Sequence, residues 1–90
     1  MEFEYDHNKS RKNKEKHGID FETAQAIWQD QIVELEAIYY FSEPRFLIVG
    51  KLETVYWTAI VTYRGEATRI ISVRRSRDKE VTIYEKKRTR

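Results

Sequence analysis

Cysteine is absent from these 90 residues. That excludes a disulfide framework, a thiolate zinc site and a cysteine nucleophile. No apolar run approaches the roughly 20 residues that span a bilayer. The opening residues, Met1-Glu2-Phe3-Glu4-Tyr5-Asp6, are acidic and alternating, whereas a secretory signal is basic and then apolar. A cytoplasmic location is therefore the default expectation, with no membrane partner. Proline occurs once, as Pro44, where it can open a strand. Apolar residues are missing altogether from His7 to His17, and a helix that is polar all round gains little from packing.

What is present is charge, unevenly placed. Residues 1–63 carry a net −4 and residues 64–90 a net +6, for a total of +2. A localised basic region points to a polyanion contact, and the bland alternative is solubility alone. A 40% hydrophobic fraction over 90 residues supports one modest core, so residues 1–90 read as a single domain.

The periodicities predict an α+β fold in the order β-α-α-β-β-β-β-α. Phe3-Glu4-Tyr5 alternates as a short first strand. Residues 7–17 have helical composition, with Gly18 as a C-terminal cap. Asp20 can cap a second helix over 21–29, where Phe21, Ala24, Ile27 and Trp28 recur at helical spacing. Ile32 to Ala37 alternates as a strand, and Tyr39 to Glu43 reads as a loop. Residues 45–52, 55–63 and 67–75 read as further strands joined by short hairpin connections. Ser76 can cap a last helix from about Arg77 to Lys87, ahead of a basic tail. The result is an antiparallel sheet of four to five strands with the helices on one face.

Arginine clusters at both ends of one predicted strand, Arg69-Ile70-Ile71-Ser72-Val73-Arg74-Arg75, with Arg64 just before it. The β-branched residues favour the pleat, and guanidinium forks match phosphate oxygens. Period-two reading puts Arg64 and Arg74 on one open face with Glu34 and Glu36, and Arg69 and Arg75 on the other. A one-residue bulge would invert part of this assignment.

Phe3-Glu4-Tyr5-Asp6 with Lys9 and Asn13, then Lys16-His17-Gly18-Ile19 and Phe21-Glu22-Thr23-Ala24, open a further pattern. It continues with Pro44-Arg45-Phe46 and Val49-Gly50, and ends with Arg69 to Arg75 and Tyr84-Glu85. Together these pieces resemble the BrnT family of bacterial type II toxins, across nearly the whole chain. The loop at Tyr39 to Glu43 is shorter than in many members, and Leu52 to Val55 differs in sequence. The resemblance implies a RelE-like fold and metal-independent cleavage of RNA, with no cofactor and no metal. It implies inhibition of translation and neutralisation by a ribbon-helix-helix antitoxin in a heterotetramer. Operator DNA would be bound mainly through the antitoxin.

Such cleavage uses the RNA 2′-hydroxyl as nucleophile. The protein must supply cations where phosphate charge develops and a group that moves protons. Arg64 and Arg74 are the first candidates for charge, with Arg69 and Arg75 next as RNA contacts. Each has an alternative as an ion pair with Glu34, Glu36 or Glu66. His17 is the proton-transfer candidate, and its alternative is a cation at a helix C-terminus. Glu34 and Glu36 are further base candidates or, more simply, a solvated strand face. Tyr84 is a candidate for phosphate contact or base stacking, against core packing beside Val81. Lys9 and Lys12, on the basic first helix, are candidate RNA contacts. Trp28 and Trp57 read as core. The competing functions are a non-catalytic nucleic-acid-binding module and an interaction protein with a basic receiving surface.

Overall fold

The structure, a computed structural model, describes residues 1–35, 38–40 and 43–88. The described elements are β1 (Glu2–Glu4), α1 (His7–His17), α2 (Phe21–Ala24) with a 3₁₀ turn (Gln25–Gln29), and β2 (Ile32–Glu34). They continue with β3 (Ile38–Tyr40), β4 (Glu43–Leu52), β5 (Val55–Arg64), β6 (Ala67–Arg75) and α3 (Asp78–Arg88). The fold is α+β, as the periodicities predict. The strands from β4 onward and the last helix fall within two residues of their expected ranges. The Tyr39 to Glu43 stretch, read as a loop, instead contributes the end of β3 and the start of β4, and β3 pairs with β4 as a short antiparallel addition. Glu36 and Ala37, expected at the end of the preceding strand, lie outside the described residues, as do Phe41, Ser42 and the last two residues of the basic tail.

The main sheet runs β1-β6-β5-β4-β2. Its meander is antiparallel, but β1 lies parallel to β6, so the sheet is mixed. The reason is the route of the chain. After β1 it crosses to the far edge, and the meander then works back until β6 arrives beside β1.

Helices cover both faces of the sheet, where one face was expected. On the first face, Phe21, Ala24 and Ile27 close over Ile48, Trp57, Ala59, Val61, Ile70 and Val73. On the second, Tyr84 of α3 packs on Val33 and Val49, with Leu35 and Tyr56 beside it. Ile48 and Val49 are adjacent in β4, so the pleat sends them to opposite faces. Both are fully buried, and a sheet apolar on both faces needs cover on both.

The all-polar α1 is held by hydrogen bonds. Asp6 caps it, accepting from the amides of Asn8 (2.8 Å) and Lys9 (3.1 Å), and these bonds hold the Asp6 carboxyl below its ordinary pKa, the Lys9 amide contributing most. Gly18 ends it at φ 86°, a left-handed conformation that suits glycine. Ser10 and Asn13, three residues apart, are buried toward the sheet. The Asn13 side chain donates to the carbonyls of Ile19 (2.7 Å) and Val73 (2.9 Å) and accepts from the Val73 amide (3.2 Å). An amide thus pairs with the edge of β6 as a strand would, beyond the point where β1 ends. Ser10 Oγ accepts from the Phe21 amide at 2.8 Å.

Candidate functional site

The β6 strand carries a bulge. Ile60 pairs with Ser72 and Val61 with Ile70, which leaves Ile71 as the extra residue. The bulge shifts the alternation by one. Arg69 is opposite Thr62 and Arg74 opposite Thr58, so Arg64, Arg69, Ser72 and Arg74 share the face on which α3 sits. Arg69 therefore joins the face it was expected to oppose. Arg75 remains on the other, over the Trp57 ring at 5.4 Å. Glu34 also departs from expectation: it is opposite Ile48, on the first face, and accepts a 2.7 Å hydrogen bond from Tyr63. Burial and this bond push the Tyr63 phenol up to about 12.

Sharing a face does not bring Arg64 and Arg74 together. Arg64 lies six residues along β5 from Thr58, the partner of Arg74, or about 20 Å in an extended strand. One phosphate cannot bridge them. Arg64 is about half exposed and makes a long 3.8 Å contact with Glu43. Arg69 is paired with Glu4 at 2.9 Å.

Arg74 sits in a built network. Its two terminal nitrogens donate to the two Glu80 oxygens, each at 2.9 Å. Glu80 also accepts from Thr58 Oγ1 (2.8 Å) and the Arg77 amide (2.9 Å). That last bond is a helix cap: Glu80 reaches back three residues to hold the start of α3. Ser76, the expected cap, instead shares a 2.7 Å hydroxyl bond with Thr58. The Arg74 fork and the other donors hold the Glu80 carboxyl down to about 2, and the same pair raises Arg74. Burial opposes both shifts and is outweighed by the bidentate geometry.

Tyr84 is only 1% exposed, and its hydroxyl donates to the Gln31 carbonyl at 3.0 Å. It is a core residue of the α3 face and does not reach an open surface. Trp57 is likewise core, and Trp28 packs edge-on against Phe3.

The remaining candidates converge. Lys9, Lys12, Lys16 and His17 line one side of α1, and with Asn13 they enclose a concavity of about 210 Å³ against Ile71 and Ser72. These two strand residues sit at the bulge. Ser72 is two residues from Arg74 on the same face, about 7 Å along the strand. The lysine concavity and the Glu80-held arginine are therefore neighbours across β6. The sequence carried a signal for this grouping, because 9, 12 and 16 recur at helical spacing, but which side of α1 faces the sheet depends on Ser10 and Asn13. Glu80 was missed as a partner of Arg74. Its signal was its place three residues after Arg77 at a helix start.

The concavity offers three ammonium groups and one imidazole around a shallow bowl, and the Glu80-held guanidinium lies two residues along β6 from Ser72. It suits a chain of phosphates better than a single small anion. Among the described residues, no group of three or more His, Asp or Glu side chains is arranged to hold a metal ion, and no helix is long and apolar enough to cross a membrane.

Comparison with known proteins agrees with this chemistry. No curated protein matches the chain. A family model described as the ribonuclease toxin BrnT of type II toxin–antitoxin systems matches residues 5–80, which include α1, the bulged β6, Arg74 and Glu80. The chain belongs to the BrnT family of ribonuclease toxins.

Proposed function

We propose that the protein is a metal-independent endoribonuclease toxin of RelE-like fold. Its RNA would lie in the concavity between α1 and the β6 bulge. The observation that carries this is the meeting of His17 with Lys9, Lys12 and Lys16 beside Ser72, one strand position pair from Arg74. His17 takes the proton of the 2′-hydroxyl as its oxygen attacks phosphorus. The bond from phosphorus to the 5′-oxygen then breaks, leaving a 2′,3′-cyclic phosphate, and the 5′-oxygen is protonated from solvent. Lysine ammonium groups and Arg74 meet the charge that develops on the phosphoryl oxygens. Arg74 is suited to this because Glu80 fixes the plane of its guanidinium beforehand. Arg64 and Arg69 lie farther along the same face, where they would contact flanking phosphates. Arg75 would contact RNA only if the chain wraps the sheet edge. Tyr84 is assigned no catalytic part, because its hydroxyl is buried and occupied.

The same reading includes a cytoplasmic location, inhibition of translation by RNA cleavage, and a ribbon-helix-helix antitoxin in a heterotetramer that binds operator DNA mainly through the antitoxin. A neighbouring gene for a small protein of that pattern supports the last part, and a neighbour of another fold removes it.

The test is purified protein on RNA in excess EDTA. Cleavage ending in 2′,3′-cyclic phosphate is expected. His17→Ala should reduce the rate by about 10² to 10⁴ with unchanged circular dichroism. Intact RNA with salt-sensitive binding alone would replace the enzyme by a nucleic-acid-binding module.

A further inference from the structure

A second concavity lies on the other side of Arg74. It is a groove of about 940 Å³ between α3 and the open end of the sheet. Five aliphatic side chains line it, namely Leu35, Ile38, Leu47, Ile60 and Ile83. Ile38, at its mouth, is 57% exposed. The rim is cationic, formed by Arg74, Arg77, Lys79 and Lys87. On α3, Lys79, Ile83 and Lys87 recur every fourth residue, so one helix face presents cation, apolar, cation along the groove. Two carboxylates border it, and both are engaged: Glu80 by Arg74 and Glu34 by Tyr63. Arg77, Lys79 and Lys87 make no ion pair among the described residues.

We propose that this groove docks an acidic amphipathic segment of a protein partner, with its apolar stripe on the aliphatic floor and its carboxylates on Arg77, Lys79 and Lys87. Charge complementarity selects the partner. An aliphatic floor asks for aliphatic side chains, and three rim cations with no ion pair among the described residues, Arg77, Lys79 and Lys87, ask for carboxylates. RNA fits less well, since the described lining residues include no aromatic ring on which a base stacks. That the segment belongs to the antitoxin rests on the toxin–antitoxin reading above; the chemistry of the groove does not. Arg74 borders the groove and lies beside the lysine concavity, so a docked segment would stand next to the RNA path and obstruct it. Neutralisation would then need no contact with His17.

The experiment uses the full chain labelled at isoleucine and leucine methyls. It is titrated with two synthetic helical peptides of about four turns sharing one leucine stripe, one with glutamates on its other face and one with lysines. The glutamate peptide should shift the methyls of Leu35, Leu47, Ile60 and Ile83 while leaving Ile19 and Ile70 of the opposite core in place. The lysine peptide should bind at least about tenfold more weakly. Lys79→Glu combined with Lys87→Glu should weaken the glutamate peptide by about tenfold, and Ile83→Glu should abolish its shifts. Two results overturn the proposal: no peptide shifts these methyls, or a short single-stranded RNA shifts them when the peptides do not. The readout needs no cleavage, so an inactive chain that still binds the peptide removes the ribonuclease reading alone.

Discussion

Glu80 is the residue on which most of the site's order depends. It closes four hydrogen bonds, to both Arg74 terminal nitrogens, Thr58 and the Arg77 amide, while only 8% exposed. Glu80→Ala leaves Arg74 largely buried without its counter-charge and frees the start of α3. It should cost about 3 kcal/mol, read from urea unfolding. The carboxyl is held at about 2 against an ordinary 4.5. A depressed pKa favours the folded state above the ordinary value, and that contribution fades as pH falls from 4.5 toward 2. Glu80→Gln should therefore be less stable than the parent at neutral pH and flatter in its acid dependence. An unchanged acid slope in the variant would show that Glu80 does not carry it. Asn13 is the other residue of this kind. Asn13→Ala strands the Val73 amide and two carbonyls and should cost about 2 kcal/mol. Faster hydrogen exchange at the Val73 amide is the local signature.

At the scale of elements, two devices set the geometry of the sheet. One is the bulge at Ile71, which puts Arg69 on the face of Arg74 and lies at the wall of the lysine concavity. The other is the close seat of the 3₁₀ turn on β4. A Cβ on Gly50 would lie 2.5 Å from Ile27 Cγ2, so Gly50→Ala must push the turn away from the sheet. A loss of about 1–3 kcal/mol is expected, measured as a lowered unfolding midpoint. Little change would mean that Ile27 repacks without strain. Much at this scale was legible in the sequence. Phe21, Ala24 and Ile27 carry the helical period and are all buried, and β6 occupies the range its β-branched run foretells. The bulge was not legible, because Ile70-Ile71 are chemically alike and either one fits the core. Only pairing with β5 selects Ile70. Nor was the role of α1, since helix packing is sought in apolar stripes and this helix docks through Ser10 and Asn13.

For the whole molecule, the charge asymmetry becomes a path across one strand. Lysines of α1 stand on one side of β6 and the cations of α3 on the other, although they are separated by about seventy residues of chain. RNA binding should weaken steeply with salt, and Lys9→Ala with Lys12→Ala should lower the slope of log affinity against log salt by roughly one to two. A slope unchanged in the double variant would place the RNA elsewhere.

Local chemistry by itself determined the α+β class, the main strands, the helix caps at Asp20 and Gly18, and the family pattern running from Phe3 to Glu85. These follow from periodicity, backbone preference and residue identity, which a chain carries whatever its neighbours are. Tertiary structure alone decided which cations meet. It separated Arg64 from Arg74, gave Arg74 to Glu80, buried Tyr84 under Gln31 and brought His17 to Ser72. Those outcomes depend on register and on what each face packs against, and a single unpaired residue in β6 was enough to move Arg69 to the face of Arg74.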